Sequence, residues 1–241
     1  MTFNVVINTQ EVPIIADGIP DENIIKVINS TPFTNWITTL DKRFVVSKIT
    51  LQNVDMFGPR VGFIKFSADA TFDNEKIPAI VFMRGRSVAI LPVLTVVNNN
   101  TSNRFVICCR QARFPVGKHL LEIPAGMMDD SHSFVGTAAK ELKEETDITI
   151  TEDELIDLTN ESGNPDGIYP SPGGCDESIS LMLYQKTVPQ SFIDIFKGKI
   201  TGNIEEHEKI YLELIPYEEL HKSADMKALS AMLLAERFGY L

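Results

Sequence analysis

A layered α/β protein with a small β-rich leading part is predicted by three observations on the 241-residue chain. Its first part shows short runs in which apolar and polar residues alternate, FVVSKITLQNV and RVGFIKFSADATF, the period of strands with one buried face. Its middle carries longer apolar runs, AILPVLTVV and RFVICC, expected of buried strands. Between and after such strands, FVGTAAKELKEET and YEELHKSADMKALSAMLLAERFGY carry helical spacing.

Taken in order, residues 1–75 are read as an N-terminal β-rich domain, its two alternating runs joined by the turn DMFGPR and closed by a turn at Asp73, Asn74 and Glu75. Residues 76–241 are read as a second, larger domain. It opens with IPAIVFMRGRSVAILPVLTVV, buried strands interrupted at RGR. NNNTSN at 98–103 reads as a polar hairpin loop and RFVICCRQARF as the returning strand. After EIPAG and the loop MMDDSHS, a helix begins with Ser133 as N-cap and with Phe134, Val135, Ala138, Ala139 and Leu142 on its apolar side. SISLMLYQKTV and EKIYLELIPY read as strands, and the C-terminal stretch as one or two helices. No repeat or low-complexity segment interrupts this order.

Composition narrows the function. A formal charge of -11 excludes a broad nucleic-acid surface, which needs clustered Lys and Arg against phosphates. It does not exclude a small phosphorylated ligand, because bound Mg²⁺ can neutralise charge locally. No apolar run reaches the ~18 residues that span a bilayer. MTFNVVINTQEVPII has neither the basic start of a secretory leader nor the Arg/Ser-rich character of a transit peptide, so no membrane partner and a cytosolic location are expected. Cys108, Cys109 and Cys175 fit no C-x-x-C or zinc spacing and are expected to be reduced thiols.

The chemistry concentrates in GMMDDSHSFVGTAAKELKEETDI, Gly126 to Ile148. On a helix Glu141, Glu144 and Glu145 project to roughly one side, opposite Ala138 and Leu142. Like charges at this spacing repel by a few tenths of a kcal/mol per pair. Solvent with Lys140 and Lys143 offsets that repulsion on an ordinary exposed face; a hard cation such as Mg²⁺ or Mn²⁺ would offset it in a binding site.

Read from Gly126, the segment follows the Nudix box, G-x5-E-x7-R-E-U-x-E-E-x-G-U with U a bulky aliphatic residue, at Gly126, Glu141, Leu142, Glu144, Glu145 and Ile148. It departs at His132, Lys140 and Asp147, where the pattern has Glu, Arg and Gly; Lys140 keeps a charge without the planar fork, and Asp tolerates a left-handed backbone better than most residues. The chain therefore resembles a Nudix hydrolase. EIPAGMMDD, YPSPGGCDE at 169–177 and GNIEEHEKIYLELIPY at 202–217 are similar to the ADP-ribose and ADP-sugar pyrophosphatase subgroup, plant-type ADP-sugar diphosphatases above all, and the likeness runs from VDMFGPRVGF through the C-terminal helix.

That resemblance implies a Nudix α/β/α sandwich with a mixed sheet and metal-dependent hydrolysis of ADP-ribose or ADP-glucose to AMP and a sugar phosphate. UDP-sugars and a catalytically silent ADP-ribose-binding module are the alternatives. It implies a homodimer through the N-terminal domain. It assigns Glu141 and Glu145 as principal Mg²⁺ or Mn²⁺ ligands, joined by Glu144 and the main-chain carbonyl of Ala125. Glu208 is the expected base for the attacking water, followed by Glu206 and Glu205; the bland reading of this run is an acidic surface loop.

On the substrate side, Arg113 aligns with a residue that grips the diphosphate, or else forms a surface ion pair, and Arg110 carries no such alignment. In SPGGCDE, Gly173 and Gly174 are expected to supply conformations closed to other residues and to bring main-chain amides and Glu177 to a ligand. Glu122 is expected either to brace the site or to contact the ribose side. Cys175 has no His spaced to activate it as a nucleophile, and Trp36 is either an adenine platform or core.

Overall fold

The computed structural model describes residues 3–98, 101–128, 134–196, 198–202 and 209–241, with the Asn98 side chain left aside. The chain forms two compact units, Met1–Arg86 with Tyr169–Glu177, and Ser87–Ile168 with Ser178–Leu241.

The first unit holds β1 (Phe3–Ile7), β2 (Gln10–Ala16), α1 (Asp21–Ile28), α2 (Thr31–Thr39), β3 (Phe44–Phe57), β4 (Arg60–Phe72), β5 (Glu75–Lys76) and β6 (Ile80–Met83). Its sheet runs β1-β2-β3-β4-β5, with β6 also on β4. The alternation in sequence is the alternation in space: Val5, Ile7, Val12 and Ile14 are buried together with Ile49, Leu51, Ile64 and Phe66. β2 and β3 pair in parallel, which requires a crossover, and α1 and α2 form it. Both helices are additions to the β-rich reading of this region. They bury little beyond Ile24, Val27 and Phe33, too few positions for a clear helical period. Trp36 lies 5.1 Å from Phe66 and 6.0 Å from Phe33 as part of this core.

The second unit holds β7 (Ser87–Asn98), β8 (Thr101–Arg113), β9 (Lys118–Glu122), β10 (Ala125–Met127), α3 (Phe134–Thr146), β11 (Leu155–Asp157), α4 (Leu158–Glu161), β12 (Ile179–Val188), α5 (Gln190–Asp194), β13 (Ile200–Thr201), β14 (Ile210–Pro216) and α6 (Met226–Arg237). The sheet order is β11-β12-β7-β8-β14-β13, with β10 on β7 and β9 on β8. It is mixed, since β7 and β12 run parallel while the other pairs are antiparallel.

Central strands read as nearly unbroken apolar runs because both faces are covered. Val88, Ile90, Ile107, Cys109, Met182 and Tyr184 pack with Ala138 and Leu142 of α3. Their alternates Ala89, Leu91, Val106, Cys108, Leu181 and Leu183 pack with Leu158 of α4 and with Ala228, Ala231 and Ala235 of α6. The result is the α/β/α sandwich around a mixed sheet that the resemblance implies.

The hairpin loop expected at 98–103 is shorter. Pairing continues through Val96↔Asn103 and Val97↔Ser102 to Asn98↔Thr101, because a backbone ladder accepts polar residues that side-chain character alone assigns to a loop.

Candidate active site

The site is built where α3 meets β10. β10 pairs with β7 through Ala125↔Ala89, Gly126↔Val88 and Met127↔Ser87, so the short strand is seated on the sheet. α3 rests over the same region with Thr137, Ala138, Leu142, Glu145 and Thr146 buried.

The three glutamates separate by environment. Glu144 is exposed, Glu141 half-buried, and Glu145 only 4% exposed. A helix turns about 100° per residue, so neighbours such as Glu144 and Glu145 cannot share one environment when the helix lies against a sheet. Glu145 accepts hydrogen bonds from Ala125 N (3.1 Å), Gln111 Nε2 (3.1 Å) and Cys109 Sγ (3.6 Å). Burial and then the adjacent carboxylate of Glu145 hold the Cys109 thiol well above its ordinary pKa, so it stays a neutral donor. Glu141 lies against Gly126 so closely that a Cβ added there would stand 1.8 Å from its carboxyl carbon. A side chain at Gly126 would thus displace this carboxylate, while the backbone angles there do not call for glycine.

Two departures from the box have visible consequences. Asp147 ends α3 at φ +65°, donating from its N–H to Lys143 O, and its carboxylate pairs with Lys199 Nζ at 2.8 Å. Asp does fill the left-handed position where the pattern has Gly. Lys140 is exposed. His132, the N-cap Ser133 and the base candidates Glu205, Glu206 and Glu208 lie outside the described residues.

Among the described residues, no three His, Cys, Asp or Glu side chains converge tightly enough to enclose a metal by themselves. Glu141 and Glu145 nevertheless both meet β10, at Gly126 and at Ala125 N, and carboxylate oxygens suit a hard cation such as Mg²⁺ or Mn²⁺. The pocket that a Gly126 side chain would fill is occupied by a carboxylate, which is the observation in favour of that fit.

Arg113 and Glu122 form a second group. Arg113 Nε donates to Glu122 Oε1 at 2.7 Å, and Lys227 Nζ approaches Glu122 Oε2 and Asp225 Oδ1, each at 2.8 Å. Asp225 also caps α6 through Lys227 N and accepts from Ile123 N at 2.9 Å, tying the helix start to the end of β9. Burial raises the Glu122 pKa, but the Arg113 hydrogen bond and the Lys227 charge outweigh it and leave the carboxyl below its ordinary value. Burial likewise lowers Lys227, and Asp225 with Glu122 more than reverses it. Arg113 is the exposed member, at 39%, while Glu122 is at 8%. Arg110 pairs with Glu213 in a two-point ion pair.

Gly174 and Glu177 belong to the first unit. Gly174 O accepts from Phe82 N, Asp176 accepts from the amides of Arg84 and Gly85, and Glu177 stands 3.6 Å from Arg84 Nη1. The expectation for the two glycines is corrected. Neither Gly173 nor Gly174 has a left-handed backbone, and an added Cβ would meet nothing within 4 Å at either. Ahead of this turn Gly167 is left-handed, with φ +87°, and a Cβ there would meet Ile179 O at 2.7 Å.

Gln111, Cys109, Lys227 and Asp225 are contacts that sequence reasoning passed over. Gln111 carried a signal, an amide that follows Ile107 and Cys109 along the inward face of a strand. Lys227 carried none for its contact with Glu122, which is 105 positions away in the chain.

Residues 89–235 match the family model for the NUDIX domain. Nudix hydrolase 14, chloroplastic, of Arabidopsis thaliana is 41% identical over 234 residues, covering 91% of this chain and 74% of that protein. The ADP-sugar pyrophosphatase of Mus musculus is 36% identical over 63 residues, 26% of this chain and 29% of its own. A solved structure of an ADP compounds hydrolase aligns over 80% of this chain and 95% of that one, at 18% identity and a TM-score of 0.47. The domain match spans more than half of the chain and contains the glutamate helix, the short strand bearing Gly126 beneath it and both faces of the sandwich, so this protein belongs to the Nudix hydrolase family.

Proposed function

We propose that the chain hydrolyses the diphosphate bond of an ADP-sugar, such as ADP-ribose or ADP-glucose, to AMP and a sugar phosphate with Mg²⁺ or Mn²⁺. One observation carries the reading: the Ala125–Gly126 main chain touches the carboxylates of both Glu141 and Glu145. That brings both carboxylates to one short strand. Similarity to an ADP-sugar pyrophosphatase supports the substrate class.

Glu141, Glu145 and the Ala125 carbonyl would hold the ion, with the exposed Glu144 free of core packing and open to a water or a second ion. Bound there, a divalent cation neutralises the diphosphate, polarises its oxygens and lowers the pKa of a water. The protein's own contribution is positional: β10 and α3 fix the carboxylates, and Arg113, anchored on Glu122 yet partly exposed, offers a guanidinium suited to phosphate oxygens. In the reaction a water oxygen bonds to one phosphorus as the bridging oxygen leaves with the other phosphate. Glu208 is proposed to take the water proton, with Glu206 as the alternative. Glu177 is proposed to contact the substrate, and the active form to be a homodimer.

Incubation with ADP-ribose, ADP-glucose and UDP-glucose, with Mg²⁺ or Mn²⁺ and product analysis by chromatography, tests the proposal. AMP formed faster than UMP is the expected result. Faster UMP release would assign a UDP-sugar diphosphatase, and binding of ADP-ribose without any AMP would assign a silent binding module.

A further inference from the structure

We propose that Gln111 is a positioning residue for Glu145, its carboxamide acting with the Cys109 thiol to hold the carboxylate in the orientation that serves a cation. The inference rests on the reading of Glu145 as a metal ligand given above. A glutamate on a helix can turn about several side-chain torsions, and burial alone does not choose among them. Here each oxygen is held separately: Gln111 Nε2 donates to Oε1, while Ala125 N and Cys109 Sγ donate to Oε2.

Both side chains come from β8, two residues apart and therefore on one face of a strand paired with β7, β9 and β14. The scaffold behind the carboxylate is thus a central strand and not a loop. Gln111 is 5% exposed and follows Ile107 and Cys109 along the same face. An amide at such a position costs free energy unless it is hydrogen-bonded, and core packing alone does not call for one. Its bond to Glu145 accounts for its presence.

The test is Mn²⁺ titration of the full chain, followed by the electron paramagnetic resonance of the free ion. Glu145→Gln is the reference for a lost ligand. Gln111→Met, of similar volume without a donor, is expected to weaken Mn²⁺ about 10- to 100-fold with an unchanged circular dichroism spectrum. Gln111→Glu, which sets a like charge against Glu145, is expected to weaken it further. Gln111→His keeps a donor and is expected to fall between wild type and Gln111→Met. Wild-type affinity in a folded Gln111→Met or Gln111→Glu overturns the proposal. If neither folds, Gln111→His decides: affinity lost as fully as in Glu145→Gln, despite the retained donor, overturns it too. A wild-type protein that binds no Mn²⁺ would sink this inference together with the metal reading. One that binds Mn²⁺ but cleaves no nucleotide sugar would sink the proposed function alone.

Discussion

Glu145 sits with its carboxylate among the donors Ala125 N, Gln111 Nε2 and Cys109 Sγ and with almost no solvent, so the loss of its acceptor oxygens would be felt by buried groups. Glu145→Gln is expected to cut kcat by orders of magnitude. It should also lower the melting temperature, because the new NH₂ group faces N–H donors and leaves buried groups unpaired, at a cost of about 1–3 kcal/mol. Steady-state kinetics and a thermal melt on the same preparation check both halves. Gly126 offers a sharper case. Gly126→Ala would drive a methyl into the Glu141 carboxylate and is expected to lower kcat/KM at least tenfold, whereas Gly173→Ala, with open space around it, should leave kcat/KM near the wild-type value. Equal losses from both would mean that glycine at these positions serves backbone flexibility and not the seating of Glu141.

At the scale of elements, the end of α3 and the start of α6 are each fixed by a charged residue in an unusual place. Asp147 occupies a left-handed position that glycine fills at no steric cost, and its ion pair with Lys199 is solvent-exposed and worth little. Asp147→Gly is therefore expected to raise the melting temperature by a few degrees; a fall would show that the Lys199 contact outweighs the backbone strain. At α6, Lys227→Met would remove one cation from the buried group formed with Glu122 and Asp225, at a cost of about 3 kcal/mol read from urea midpoints. The same group makes stability pH-dependent. The folded pKa of Glu122 lies below its unfolded value, so its contribution is complete above the ordinary glutamate pKa near 4.5 and is lost as pH falls through the lower folded value. The urea midpoint should drop over that acid range in wild type and drop less in Glu122→Gln.

For the whole molecule, the cysteines report how the layers close. Cys108 and Cys109 are buried on opposite faces of the same strand, while Cys175 is half-buried in the first unit. A thiol reagent should modify Cys175 in the native protein and the other two only on unfolding; rapid native modification of all three would contradict the two-sided burial of β8. Much of this architecture was legible beforehand. Alternation marked the strands of the first unit, unbroken apolar runs marked the doubly covered strands of the second, and the register from Gly126 to Ile148 marked the glutamate helix. The helices α1 and α2 were not legible because they bury too few residues to show a period, and the strand ends at 98–103 were not because backbone pairing disregards side-chain polarity. By itself the sequence determined the layering and which carboxylates share a helix, since those follow from local periodicity and spacing, and it indicated the family through its resemblance to the Nudix box. Only the tertiary structure decided that Glu145 is buried while Glu144 is exposed, that Gly126 makes room for Glu141, and that Gln111 and Lys227 hold distant carboxylates. Helical geometry sets where side chains point, but what they meet depends on the strand that packs beneath them.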